Sequence, residues 1–183
     1  LSSLEGNLPD LRLLILGGEA CTTNLIQRWS RSGLRILNTY GPTETTVIAT
    51  YAECFSNQPV TIGKPIEGYY AIILDENLQP VVDAEQGELC IGGLGVAKGY
   101  LNQPDNTANK FIKNPMDITQ CVYRTGDLAM VDSNGDILFL GRIDDQIKLR
   151  GFRIELNEIE SVIMENQAIN QAVVSLQELE SPT

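Results

Sequence analysis

The sequence predicts a mixed α/β chain: a parallel β-α-β opening, an antiparallel β region after it, and a short α+β tail. Three observations carry that expectation. Residues 11–16 (LRLLIL) form a short apolar run closed by Gly17-Gly18, and helical spacing follows before a second apolar run. From about residue 60 the apolar runs are separated by turn residues, with no helix-length spacing between them. The last 40 or so residues return to helical periodicity after a charged, glycine-flanked stretch.

Each element has its local reason. Thr22 can cap a helix in which Leu25 and Trp29 share a face at i,i+4, with Gly33 near its end. Residues 34–38 supply the second strand, and β-α-β order implies a parallel sheet. Residues 70–74, 87–91, 128–132 and 136–140 read as strands of a small antiparallel sheet or barrel. The run Asp132-Ser133-Asn134-Gly135-Asp136 predicts a hairpin with a primed turn. In the tail, residues 146–149 read as a strand. Asn157 caps a helix that places Ile159, Val162 and Ile163 on one face, and Glu160 resembles the far end of a capping box. Residues 172–176 close the chain as a strand. The expected pieces are 1–60, 61–143 and 144–183, with the boundary at residues 142–145; the last is too short to build a core alone and reads as truncated.

Composition narrows the chemistry. A chain of 183 residues buries roughly 70% of its unfolded surface, enough for a core without staples. Thirteen Lys plus Arg against 24 Asp plus Glu give a net charge of −11, which argues against non-specific nucleic-acid and anionic-membrane binding. A locally basic pocket for phosphate is still allowed. The absence of histidine excludes Ser-His-Asp and Cys-His nucleophiles, imidazole bases and nearly every catalytic zinc site. Cys21, Cys54, Cys90 and Cys121 form no CxxC pair, so reduced cytosolic thiols are expected rather than a metal site. No signal peptide is visible, and no apolar run of about 18 residues exists.

Four stretches carry candidate chemistry. In residues 38–46 (NTYGPTETT) a Gly-Pro turn follows a strand; Glu44 offers a hard oxygen suited to Mg²⁺ and the threonines can hold phosphate, or the stretch is a plain polar turn. In residues 123–128 (YRTGDL) a carboxylate after glycine can accept both hydroxyls of a ribose, or the stretch simply opens a hairpin. Residues 141–153 gather Arg142, Lys148, Arg150 and Arg153 in an acidic protein, either to fork onto an anion or as a solvated strand beside a hinge. Residues 87–101 (GELCIGGLGVAKGYL) match neither GxGxxG nor GxxxxGK[ST], so structural turns are the expected use. Asp132-x-Asn134-x-Asp136 lacks the sixth-position Gly and twelfth-position Glu of a calcium loop and is rejected.

Taken in order, NTYGPTETT, GELCIGGLGVAKGYLNQPDNTANKF, YRTGDL and GRIDDQIKLRGFRIELNEIE resemble the successive signature motifs of adenylate-forming enzymes, most closely the adenylation domains of nonribosomal peptide synthetases. The resemblance spans essentially the whole chain. It implies the later part of the large N-terminal domain, an α/β sheet plus a small antiparallel β-barrel, followed by the start of the small α+β C-terminal domain. It implies activation of an amino acid or related carboxylic acid with ATP and Mg²⁺ as acyl-AMP. Transfer to the phosphopantetheine thiol of a peptidyl carrier protein would follow, within a cytoplasmic multidomain synthetase that binds neither nucleic acid nor membrane. Such chemistry needs positioning and charge stabilisation and no imidazole base. An acyl-CoA ligase and a non-catalytic adenylation-like scaffold are the alternatives.

The resemblance also implies residue roles. Glu44 is the Mg²⁺ ligand, Thr43 meets the α-phosphate beside Gly41, and Asn38 and Tyr40 border the adenine opposite the Gly17-Gly18-Glu19 turn. Asp127 holds the ribose hydroxyls, Phe139 stacks near the base, and Arg142 reaches ribose or phosphate; Thr43, Glu44 and Arg142 are the catalytic candidates. Asp144 is the hinge, after whose rotation residues 148–153 face the pantetheine. Leu14, Leu16, Thr39, Val47 and Ile48 line the acid pocket and imply a hydrophobic or aromatic side chain. The phosphate-gripping loop and the catalytic lysine of such enzymes have no counterpart in these residues, so the isolated chain is expected to be inactive.

Overall fold

A computed structural model of the chain describes residues 8–82, 84–144, 146–149, 152–166 and 168–177. It divides into two compact units, Leu1–Ile143 and Asp144–Thr183. The first opens as β1 (Leu13–Leu16), α1 (Thr23–Trp29) and β2 (Arg35–Tyr40), with β1 and β2 parallel and Leu14 beside Ile36. Thr22 caps α1, its Oγ1 accepting the Leu25 N–H at 3.3 Å. The helix ends at Trp29, earlier than Gly33 suggests. Its apolar face puts Ile26 and Trp29 against Leu16 and Ile36 in one buried cluster. Two strands the sequence did not signal, β3 (Thr50–Glu53) and β4 (Lys64–Pro65), extend this sheet antiparallel.

The second sheet holds β5 (Tyr69–Leu74), β6 (Gly87–Gly93), β7 (Phe111–Asn114), β8 (Asp117–Val131) and β9 (Ile137–Arg142). A helix, α2 (Pro104–Lys110), lies between β6 and β7; Pro104 at its first turn and Lys110 at its last are ordinary helix-end chemistry. The order is β5-β6-β8, and the far edge of β8 is shared by β7 at its start and β9 at its end. The expected barrel is therefore an open ladder among the described residues: β8, 15 residues long, outruns each partner on that edge, and β5 at the other end pairs with neither. The two sheets are sewn together where Ile62 donates to the Ile137 carbonyl and Ile137 to the Gly63 carbonyl, both at 2.9 Å. Gly63 has φ +70° there, and a Cβ on it would lie 1.8 Å from the Tyr51 oxygen, so no other residue fits.

The 132–136 hairpin forms, but not with a primed turn. Gly135 has φ +77° while Asn134 stays on the negative side, and Asp132 Oδ1 accepts the N–H groups of Asn134 at 2.8 Å and Asp136 at 2.9 Å. This is a three-residue loop with glycine in the left-handed position.

The second unit contains the antiparallel pair β10 (Ile147–Leu149) and β11 (Phe152–Ile154), then α3 (Leu156–Met164). The helix starts one residue before Asn157, with Glu155 at its N-cap and no side-chain cap bond. Glu160 does not reach back to form a capping box; its Oε1 accepts the Val174 N–H at 2.8 Å. That bond helps explain why residues 172–176 are not a strand: a backbone donor that strand pairing would use is held by a side chain.

Candidate functional site

The site grows from a defect in β8. Its pairing with β6 shifts by two residues between the Cys90–Arg124 and Glu88–Leu128 pairs, and Gly126, at φ +73°, sits in the resulting bulge. Bulges of this kind re-aim side chains. Glu88 fixes it: its Oε2 accepts from Arg124 Nη2 at 2.6 Å and Nε at 2.8 Å, and its Oε1 accepts the Gly126 N–H at 3.0 Å. Thr125 Oγ1 takes the Asp127 N–H at 3.0 Å and donates to the Leu89 carbonyl at 2.7 Å.

Asp127 is thereby turned inward, 3% exposed, and its carboxylate is gripped from two sides. Arg142, opposite it on β9, donates from Nη1 to Oδ1 and to the Thr125 carbonyl, each at 2.8 Å. Tyr40 Oη, at the end of β2, donates to Oδ2. Burial and the neighbouring Asp127 charge push the Tyr40 phenol well above its ordinary range, so it remains a donor. Phe139 lies 6.4 Å from the Tyr40 ring, tilted by 40°. Two donors occupy part of the acceptor capacity of Asp127, and a carboxylate has about four acceptor positions, so vicinal hydroxyls can still be received.

The second focus is the turn after β2. Thr43–Thr45 is a short 3-10 turn that closes with Thr46 in the left-handed conformation, φ 58°. Glu44 is 7% exposed, and its Oε1 accepts from Tyr100 Oη at 2.6 Å. Tyr100 also lies 3.4 Å, oxygen to oxygen, from Tyr123 on β8, which connects this focus to the strand bearing Asp127. Burial and the bond to Glu44 raise the Tyr100 phenol, again leaving it a proton donor. No cluster of three or more Cys, Asp or Glu suited to a resident metal exists among the described residues. A single buried carboxylate held by a neutral hydroxyl suits a Mg²⁺ ion that arrives with phosphate and keeps most of its shell as water and phosphate oxygens.

The structure thus brings Tyr40, Glu44, Asp127, Phe139 and Arg142 onto connected elements. Gly41 belongs to the same turn: a Cβ there would come within 2.8 Å of the Val47 oxygen and the Ala49 nitrogen. Asn38 is buried, and its amide donates to the Thr61 carbonyl at 2.7 Å, a tie inside the fold. Gly17, Gly18 and Glu19 form an exposed turn; Gly17 is locked under Thr39, whose Oγ1 would be 2.5 Å from its Cβ. The five acid-pocket residues do not share a face. Leu14 and Leu16 point into the cluster with α1, whereas strand alternation puts Thr39 on the opposite side with Ile15, which is 55% exposed. Val47 and Ile48 are exposed beside them, the Ala49 N–H bonding back to the Tyr40 carbonyl at 2.8 Å. Asp144 is exposed at the junction of the two units and accepts the Gln146 N–H at 3.3 Å. Arg150 and the side chains of Lys148 and Arg153 lie outside the described residues.

Glu88, Tyr100, Tyr123 and Thr125 went unsignalled as site residues. A glycine within a strand, followed directly by aspartate, marks the bulge in the sequence. Nothing local marks Tyr100 or Glu88, whose partners lie 56 and 36 residues away.

Residues 2–101 match the family model described as AMP-binding enzyme. Novobiocin biosynthesis protein H of Streptomyces niveus is 50% identical over 171 residues, 92% of this chain and 28% of the relative. Tyrocidine synthase 1 of Brevibacillus parabrevis is 49% identical over 175 residues, 93% of this chain and 16% of the relative. The chain therefore spans well under a third of these relatives. Among solved structures, the Vibrio cholerae adenylation domain AlmE in complex with glycyl-adenosine-5'-phosphate superposes with a TM-score of 0.83 at 32% identity, covering 94% of this chain and 34% of that one. PA1221, a protein containing adenylation and PCP domains, gives 0.77 at 32% identity, covering 85% and 28%. No helix among the described residues is long and apolar enough to cross a membrane.

Proposed function

The chain belongs to the AMP-binding enzyme family, and from that premise we propose that it is part of an adenylate-forming ligase. Its reaction would join the carboxylate of an amino acid or related acid to the α-phosphate of ATP, releasing pyrophosphate, and pass the acyl group of the acyl-AMP to a carrier-protein phosphopantetheine thiol, releasing AMP. The observation that carries this reading is the buried Asp127 carboxylate, held by Tyr40 and Arg142 at the mouth of a strand bulge. Similarity to a solved adenylation domain with an aminoacyl adenylate supports it.

In this reading Asp127 accepts the ribose hydroxyls, while Tyr40 and Arg142 fix its carboxylate and Phe139 borders the base. Thr43 donates to the α-phosphate at the turn. Glu44 would hold Mg²⁺, which supplies charge neutralisation at the phosphate oxygens when bound. Arg142, already at the carboxylate, is placed to offer a second N–H to ribose or phosphate. Because no protein group is modified covalently, catalysis rests on orientation and on charge placed in advance. Thr39, Val47 and Ile48, together with Ile15, form the acid side and favour an apolar side chain. Asp144 is the hinge to the small unit, and the working protein is a cytoplasmic multidomain synthetase with a carrier partner. We further propose that the isolated chain does not form acyl-AMP by itself.

Calorimetric titration of AMP into the full polypeptide that carries these residues tests the reading. Binding that falls at least tenfold in Asp127→Ala supports it. Undiminished binding overturns it, and turnover with free coenzyme A instead of a carrier would reassign the acceptor.

A further inference from the structure

Residues 93–101 look like glycine-rich turns in the sequence, yet they wrap the Thr43–Thr45 turn. Ala97 donates its N–H to the Glu44 carbonyl at 2.8 Å, and Thr46 Oγ1 donates to the Gly95 carbonyl at 2.7 Å. Tyr100 Oη reaches the Glu44 side chain itself at 2.6 Å. Tyr100 is in turn clamped from behind. Its N–H donates to Thr107 Oγ1 of α2 at 2.9 Å, and its ring meets Phe111 edge-on with centroids 5.4 Å apart. Phe111 rests on Tyr123 at 5.0 Å. Gly99, at φ +141°, makes the close approach possible, since a Cβ there would lie 2.3 Å from Thr107 Cγ2.

We propose that Tyr100 is a positioning residue for the cation ligand: α2 and the aromatic stack hold its hydroxyl so that Glu44 presents its carboxylate in one orientation to a phosphate-bound divalent cation. This rests on the reading of Glu44 given above. A carboxylate on a short turn has free side-chain rotations, and one fixed donor on one oxygen removes most of them. Loss of such an outer partner typically weakens metal binding by about 10- to 100-fold.

The experiment measures Mn²⁺ binding to the full ATP-saturated polypeptide by electron paramagnetic resonance, for the wild type, Tyr100→Phe and Glu44→Gln. Tyr100→Phe keeps the ring packing, and AMP affinity in the presence of chelator reports whether the fold and the nucleotide pocket are intact. The expected result is Mn²⁺ affinity lowered about tenfold in Tyr100→Phe, lowered further in Glu44→Gln, and AMP affinity in chelator unchanged in Tyr100→Phe. Weakening in Glu44→Gln alone, or tighter Mn²⁺ binding in Tyr100→Phe, overturns the positioning role and leaves Glu44 as ligand. AMP affinity that falls in parallel with Mn²⁺ affinity in Tyr100→Phe assigns Tyr100 a purely structural role. Unchanged Mn²⁺ affinity in Glu44→Gln overturns the Glu44 reading and the positioning role with it.

Discussion

Tyr40 and Asp127, 87 residues apart in sequence, share a hydrogen bond in the interior, phenol to carboxylate. One comes from the mixed sheet β1–β4 and the other from the antiparallel sheet, so the bond joins the two halves of the first unit at the candidate nucleotide site. Removing the hydroxyl with Tyr40→Phe should weaken AMP binding by roughly tenfold, the scale of a hydrogen bond to a charged group. Calorimetry would show it, with unfolding midpoints lowered slightly.

Arg142 and Asp127 form an ion pair at 2.8 Å with both side chains largely buried. Arg142→Ala strands the carboxylate and should destabilise the first unit by about 3 kcal/mol. In Arg142→Ala/Asp127→Ala no charge is stranded, and the loss should be smaller than the sum of the single variants. Urea unfolding of all four proteins gives the coupling; strict additivity would refute it.

Gly63→Ala should lower stability by about 3 kcal/mol or more, because it adds a clash with the Tyr51 carbonyl to a left-handed backbone. Thermal unfolding reads this directly. Gly18→Ala, at φ +84° but with open space around it, should cost less.

The four thiols should separate in a reagent titration. Cys121 is exposed and reacts first. Cys90 is fully buried and its thiol is pushed up to about 12 by burial, so it reacts only after unfolding. Cys21 and Cys54 are half-buried against the same apolar cluster, and their mutual interaction with burial raises the Cys21 thiol, so Cys21 should react well after Cys121.

Acid should loosen the β8–β9 hairpin. The backbone N–H of Asp136, and then that of Asn134, hold the Asp132 carboxyl below its ordinary value. A depressed folded value means that the stabilisation is fully present above about pH 4 and is lost as pH falls through the lowered value. The destabilisation of Asp132→Ala, measured by urea unfolding, should therefore be larger at pH 7 than at pH 2.5.

Local chemistry was legible in the sequence. The parallel opening, the Thr22 cap, the turn at Gly135 and the Gly126-Asp127 signal all follow from patterns within a few residues. What stayed hidden depends on distant partners. β3 and β4 are short and mixed in polarity, and they become strands because β2 offers them an edge. Glu88 and Tyr100 acquire their roles only from Gly126 and Glu44. On β1, Leu14 and Leu16 carry apolar side chains suitable for either face, and only the packing of α1 decides which face is covered.

The 15-residue β8 also sets an order of events during synthesis. Tyr40 emerges from the ribosome long before Asp127, and Arg142 emerges last. Pairings so far apart in sequence form slowly. Until the end of β9 arrives, the candidate nucleotide site lacks the Arg142 partner of Asp127. Under the proposed function, nucleotide can therefore reward the finished unit but cannot template it, and a nascent chain that stalls before residue 142 leaves the edge of β8 exposed and prone to aggregation.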